Sequence, residues 1–227
     1  AAYPACATTG IGNLNGSAEP AAWNPWHTGY IRYRDYNGSN GVVAYPQPMF
    51  TGIAFDDNND IIMGLRDRFG DQMGSNVAAP PNSPYTSDGS ISGVTAGQTL
   101  RACVNTTGPG WVLENNALCG GVQTTGNTGS AAGQGPGGGK YYYDDEFNPY
   151  HNAVSLGGLL QITGLAEVMS TTFDPINDGN TVFAGGTRTW NNTTGTATNS
   201  YLIYQNGAPG TFGKANGLGS LTVLCQA

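Results

Sequence analysis

The chain has 227 residues, of which 38% are hydrophobic and only 10% charged. That suffices for a packed core and excludes a disordered tail, while 36 Gly and 13 Pro argue against a helical bundle. A net charge of -7, with only eight Lys and Arg, excludes a simple nucleic-acid binder, which needs a basic face to neutralise phosphates.

Residues 1–50 read as irregular because of their Pro density. The first residues, Ala1-Ala2-Tyr3-Pro4-Ala5-Cys6, read as a mature, trimmed end. An aromatic cluster follows at Trp23-Asn24-Pro25-Trp26-His27 and Tyr30. The clearest hairpin comes next. Gly52–Phe55 is an apolar run, Asp56–Asp60 a polar turn, and Ile61–Arg66 the return strand. Residues 75–97 form a Ser/Pro/Gly-rich connection. Gln98–Val104 and Trp111–Glu114 flank the turn Asn105–Gly110 as a second hairpin. Residues 120–139 are low in complexity, and their glycines mark either a surface loop or a backbone that approaches something closely. Strand patterns resume at Gly157–Ile162, Glu167–Phe173, Thr181–Gly186, Tyr201–Tyr204 and Leu221–Leu224.

These short strands, joined by long Gly/Pro/Asn-rich loops, predict a single all-β domain over residues 1–227. The stretches around residues 52 and 157 resemble each other, as repeated propeller blades would. The expected architecture is therefore β-propeller-like antiparallel sheets, with a β-sandwich as the alternative. About nine or ten strands make only two or three four-stranded blades, so the propeller would be incomplete without another chain. No apolar run approaches the roughly 18 residues of a membrane span.

Four cysteines, Cys6, Cys103, Cys119 and Cys225, leave no odd thiol and lack CxxC spacing. Three pairings are open. Cys103–Cys119 brackets a Gly/Pro turn, and Cys6–Cys225 would staple the ends. The alternative is four buried thiols. Disulfides together with scarce Lys point to an extracellular protein. Asn15, Asn37, Asn105, Asn191 and Asn192 each begin an Asn-x-Ser/Thr acceptor sequence.

Several stretches resemble a known family: Glu19–Trp26, Tyr45–Pro48, Gly64-Leu65-Arg66-Asp67-Arg68-Phe69-Gly70-Asp71-Gln72-Met73-Gly74, Gly133–Gly139 and Phe212–Gly219. In this order they look like the later part of the propeller-like region of large secreted bacterial surface proteins. Those proteins carry SD-repeat B-type, collagen-adhesin-like domains. The resemblance implies an extracellular or bacterial cell-surface module with structural, adhesive or matrix work, and brings no catalytic residues with it. The low strand count, by itself, implies assembly as a homo-oligomer, as a filament or with a sister fragment.

The residues offer few chemical sites. Arg66 and Arg68, placed on one strand face, read either as a grip on a carboxylated sugar or as an internal ion network. Trp23 and Trp26 read as a carbohydrate platform or as a buried plug. Calcium is the one cofactor with candidate ligands. Asp144-Asp145-Glu146 is the densest acidic group, and Asp56-x-Asn58-x-Asp60 has calcium-loop spacing but Ile61 where that loop needs Gly. His27 and His151 lie in no hydrolase motif, and Gly135–Lys140 lacks the Ser or Thr of a phosphate loop. Catalysis is not expected; the third alternative, a polysaccharide-acting enzyme, needs a pair of carboxylates across a cleft, and no pair is marked out among the 15 acids.

Overall fold

Alternating apolar runs separated by Gly, Asn and Asp turns give strands almost throughout. The computed structural model describes residues 23–35, 41–74, 76–93, 95, 97–129, 132–147, 153–181, 183–205 and 218–224. The first strands are β1 (Tyr33–Asp35), β2 (Gly41–Ala44), β3 (Pro48–Phe55) and β4 (Ile61–Asp67). A five-residue helix, α1 (Arg68–Gln72), precedes β5 (Val77–Ala78) and β6 (Ser90–Gly93). Then come β7 (Gln98–Val104), β8 (Trp111–Leu113), β9 (Leu118–Cys119) and β10 (Val122–Gln123). The chain continues through β11 (Ser155–Gln161), β12 (Glu167–Phe173), β13 (Ala184–Asn191) and β14 (Ala197–Gln205).

Two sheets are four-stranded antiparallel meanders, β3-β4-β7-β8 and β11-β12-β13-β14. A third, β1-β2-β6-β5, contains the parallel pair β2–β6, and β9–β10 is a two-stranded ribbon. All of these sheets are open, and none closes or curls strongly. The expected propeller is therefore wrong. A propeller repeats about four or more equivalent blades around an axis, whereas here two meanders stand beside a mixed sheet of different connectivity. Local strand pattern resembled blades, but the pairing between distant strands decides the architecture. With the propeller goes the idea that another chain must complete it.

The meanders meet because β11 packs on β3, β4 and β7. Glycine makes this approach possible. A side chain on Gly52 or Gly64 would run into the Gly157 carbonyl, and one on Gly97 into the Ser155 carbonyl. Away from this contact a core of Ile62, Cys103, Tyr141, Tyr142, Leu159, Val168 and Trp190 fills the interior. Phe147, Val154, Leu156 and Phe173 form a second cluster, and Val43, Phe69 and Ile91 a third under the mixed sheet.

The low-complexity stretch is held closely against its neighbours. Gly126 lies against the Lys140 carbonyl, Gly137 against Asn115 and Gly139 against Asn127, each too near for a Cβ. Cys103 and Cys119 form a disulfide with Cα atoms 5.6 Å apart. Cys6 and Cys225 lie outside the described residues, as do Asn15, Asn37 and His151. Among the described residues no helix is long and apolar enough to cross a membrane.

Candidate functional site

The strand-end motif does not fold as one strand. β4 stops at Asp67, whose buried carboxylate caps α1 by accepting from the Phe69 N–H at 2.9 Å. The same oxygen, Oδ1, accepts from the Gln47 N–H at 2.9 Å. Burial pushes the Asp67 carboxyl up to about 7, against the pull of these backbone N–H groups. Because the helix begins at Arg68, Arg66 and Arg68 do not share a strand face. Arg66 pairs with Asp71 at 2.6 Å. Arg68 donates to Gln47 Oε1 at 2.7 Å and lies 5.1 Å from the centre of the Trp26 ring.

Arg66 and Asp71 line a cleft of about 430 Å³ where β3 and β4 meet β11. Thr51, Met49, Gly158 and Ser220 contribute to its wall. The two tryptophans separate. Trp23 is buried and donates through Nε1 to Gln98 Oε1 at 2.9 Å. Trp26 is 60% exposed and donates to the Pro48 carbonyl at 2.6 Å. They form no common platform.

The calcium candidates meet cations that belong to the protein. Arg101 reaches both Asp56 and Asp60 through Nη2. Its Nη1 donates to the Tyr142 hydroxyl at 2.7 Å. That hydroxyl donates to Asn192 Oδ1 at 2.9 Å. Burial alone would lower the Arg101 pKa, but Tyr142, Asp56 and Asp60 outweigh it and raise it. In the acidic triplet, Asp145 pairs with Lys140. The Asp144 and Glu146 carbonyls accept from Arg188 Nη1 at 2.7 and 3.1 Å. Among the described residues no three His, Cys, Asp or Glu side chains gather as a metal site.

Of the described acceptor asparagines, Asn105 follows β7 and Asn191 ends β13, and each side-chain oxygen accepts from a following backbone N–H. Asn192 is buried and also donates to Gln161 Oε1 at 2.8 Å, so both ends of its amide are engaged.

The densest buried chemistry was not singled out from sequence. Glu114 Oε1 accepts from the Arg101 N–H at 2.8 Å, and its Oε2 accepts from the Tyr141 N–H. Burial pushes the Glu114 carboxyl up to about 8, although these two N–H groups and the charges of Lys140 and Arg101 pull it down. The available signal was a charged residue inside an apolar strand: Arg101 interrupts Leu100-Ala102-Cys103, and Lys140 stands between glycines and tyrosines. In a chain this poor in charge, such residues are costly to bury unless paired.

No family model matches the chain, and neither does any solved structure. The chain is similar to three proteins of Dictyostelium discoideum. It is 36% identical to Colossin-A over 217 residues, covering 91% of this chain and 2% of that protein. It is 29% identical to Colossin-C over 187 residues, covering 78% of this chain and 16% of that one. It is 29% identical to Colossin-D over 204 residues, covering 84% and 19% respectively. The chain thus spans less than a fifth of the length of each of these curated relatives.

Proposed function

We propose that this chain is a structural module of a cell surface or extracellular matrix that associates with copies of itself through its sheet edges. The observation that carries the reading is the apolar character of two edge strands. β14 exposes Tyr201, Leu202 and Ile203, and β3 exposes Phe50, Ile53 and Phe55. An edge strand presents a row of unpaired backbone groups, and proteins that stay monomeric protect it with charge, Pro or a bulge. β14 contains neither a charged residue nor Pro, although its pairing with β13 shifts register at Thr198 and Ile203, and β3 carries Pro48 only at its first position. Pairing of β14 in one copy with β3 in the next would be heterologous and would propagate as a fibre. The Cys103–Cys119 disulfide and the scarcity of Lys support an oxidising location outside the cell. Sedimentation velocity over a range of concentrations, with electron microscopy of the same samples, tests the reading. Assemblies growing with concentration are expected, and a monomer at every concentration would refute it.

A second reading, a carbohydrate-binding adhesion module, is favoured by the cleft whose wall holds the Arg66–Asp71 pair and the hydroxyls of Thr51 and Ser220. Calorimetry with an acidic sugar, comparing the natural chain with Arg66→Gln, tests it. Equal heats from both would remove it.

A further inference from the structure

Trp26 is 60% exposed, yet its ring is held in place. Its Nε1 donates to the Pro48 carbonyl at 2.6 Å, and the Arg68 guanidinium lies over one face, 5.1 Å from the ring centre. Buried Gln47 ties the two residues together. Its Oε1 accepts from Arg68 Nη1 at 2.7 Å and its carbonyl from the Arg68 N–H at 2.9 Å. Its Nε2 donates to the Pro25 carbonyl at 3.3 Å, beside Trp26. On the other side of that loop the Asn24 N–H donates to the Pro46 carbonyl at 2.8 Å. With Arg68 on one face of the indole, the exposed surface of the ring is its other face.

Arg68 also stands apart from most cations of this chain. Arg32 pairs with Asp88, Arg66 with Asp71, Arg101 with Asp56 and Asp60, and Lys140 with Asp145. Arg188 is held by the Asp144, Glu146 and Pro175 carbonyls. Arg68 has no carboxylate partner among the described residues. Its side-chain hydrogen bonds, to Gln47 Oε1 and to the His27 carbonyl at 3.4 Å, both come from Nη1. The Nε and Nη2 side remains, and there the N–H groups run parallel, as a bidentate grip on a carboxylate requires.

We propose that Trp26 and Arg68 bind a carboxylated saccharide, with a pyranose ring stacked on the open face of Trp26 and its carboxylate held by Arg68 Nε and Nη2. A pyranose chair presents C–H groups on one face, and that face packs flat on an indole as apolar surface. Because hydrogen bonds and stacking already fix the indole and the guanidinium, binding costs little side-chain freedom. The net charge of -7 opposes an acidic ligand only at long range, since physiological salt screens exposed charges beyond about 8 Å. Neither residue lines the Arg66 cleft, whose guanidinium is already paired with Asp71. The inference therefore stands apart from that cleft, and it does not depend on self-association.

The test is calorimetry on the full chain with trigalacturonic acid and, as the neutral control, its methyl ester. The acid should bind at least about tenfold more tightly than the ester, the difference that a charge-assisted hydrogen bond makes. This comparison needs no variant, so it holds even where a substitution disturbs the fold. Trp26→Ala should abolish the heat from both ligands. Arg68→Gln should weaken the acid to the level of the ester and leave the ester unchanged. Arg66→Gln should bind as the natural chain does, the outcome that disposes of the cleft and is expected of this site. No heat with the acid, or equal binding of acid and ester, would overturn the proposal. Binding lost in Arg66→Gln but retained in Trp26→Ala would also overturn it, and would place the sugar in the cleft.

Discussion

Gly64 in β4 lies so close to Gly157 in β11 that a Cβ on Gly64 would sit 2.0 Å from the Gly157 carbonyl oxygen. The obstacle is backbone, which cannot rotate away. Gly64→Ala must therefore push the two meanders apart and is expected to cost about 3 kcal/mol, the upper part of the overpacking range. Gly219, with nothing within 4 Å of an added Cβ, is the matched control. Urea unfolding should show a lower midpoint for Gly64→Ala and an almost unchanged one for Gly219→Ala.

Arg101 is the counter-ion of two carboxylates at once. Its side chain is 3% exposed, and those of Asp56 and Asp60 are 3% and 12% exposed. Arg101→Met would leave both acids facing each other in a poorly hydrated space and should cost about 3–5 kcal/mol. Adding Asp56→Asn and Asp60→Asn to that variant should recover part of the loss, because the uncompensated charge is then gone. Failure of the triple variant to recover any stability would show that Arg101 acts through packing on Tyr141 and Tyr142.

The buried carboxyls give the protein an unusual response to pH. Asp67 moves from 3.8 to about 7 and Glu114 from 4.5 to about 8, both through burial. Between the unfolded and folded values the folded chain binds more protons than the unfolded one, so stability falls as pH rises. The contribution is complete below the unfolded values and is lost as pH passes through 7 to 8. Denaturant midpoints are expected to drop between about pH 5 and about pH 8. Asp67→Asn, which imitates the protonated acid and retains an oxygen for the Gln47 and Phe69 N–H groups, should flatten part of that slope.

The disulfide closes a short loop, with its cysteines 16 positions apart. Cys103→Ser combined with Cys119→Ser is expected to lower stability by about 3 kcal/mol, the chain-entropy value for a loop of this size. Because Cys103 and Cys119 also belong to the main core, added dithiothreitol should produce a comparable loss in the natural chain and none in the double variant.

Three hairpins were legible in the sequence because their signals are local. Asp56–Asp60 and Asn105–Gly110 are polar turns between apolar runs, the strand patterns Gly157–Ile162 and Glu167–Phe173 lie next to each other in the chain, and β3–β4, β7–β8 and β11–β12 form from them. β13 was less so. Its pattern suggested Thr181–Gly186, yet the strand runs Ala184–Asn191, since buried Thr187, Arg188 and Thr189 hide it from a hydropathy reading. Leu221–Leu224 has strand composition but is irregular, with Leu224 91% exposed. Among the described residues of the stretch 1–50 lie β1, β2 and the start of β3, and β2 pairs with the distant β6. The site was harder still. Arg101 stands 45 and 41 positions from Asp56 and Asp60, and 41 from Tyr142, so no spacing rule could join them. Asp71 stands only five positions after Arg66, but the capping by Asp67 starts a helix there and breaks the strand alternation that would put Arg66 and Arg68 on one face.

The edge-strand proposal makes a sharp demand on one residue. Ile203 is 58% exposed in the middle of β14, between Leu202 and Tyr204, on a strand whose only described partner is β13. Ile203 is skipped in the register with β13, where Leu202 and Tyr204 on either side are paired, so a lysine there leaves that pairing in place but adds a charge to the edge strand, the device by which natural sheets resist edge-to-edge association. Ile203→Lys should therefore abolish concentration-dependent growth in sedimentation while leaving the unfolding midpoint within about 0.5 kcal/mol of the natural value, as surface changes usually do. Phe50→Lys on β3 should act in the same direction if β3 receives β14. A mixture of the two variants separates a fibre from a symmetric pair. In a heterologous contact each variant retains one intact edge, so the mixture can form dimers through the unmutated β3 of one and the unmutated β14 of the other but cannot extend them. An isologous β14–β14 contact would instead let Phe50→Lys dimerise alone.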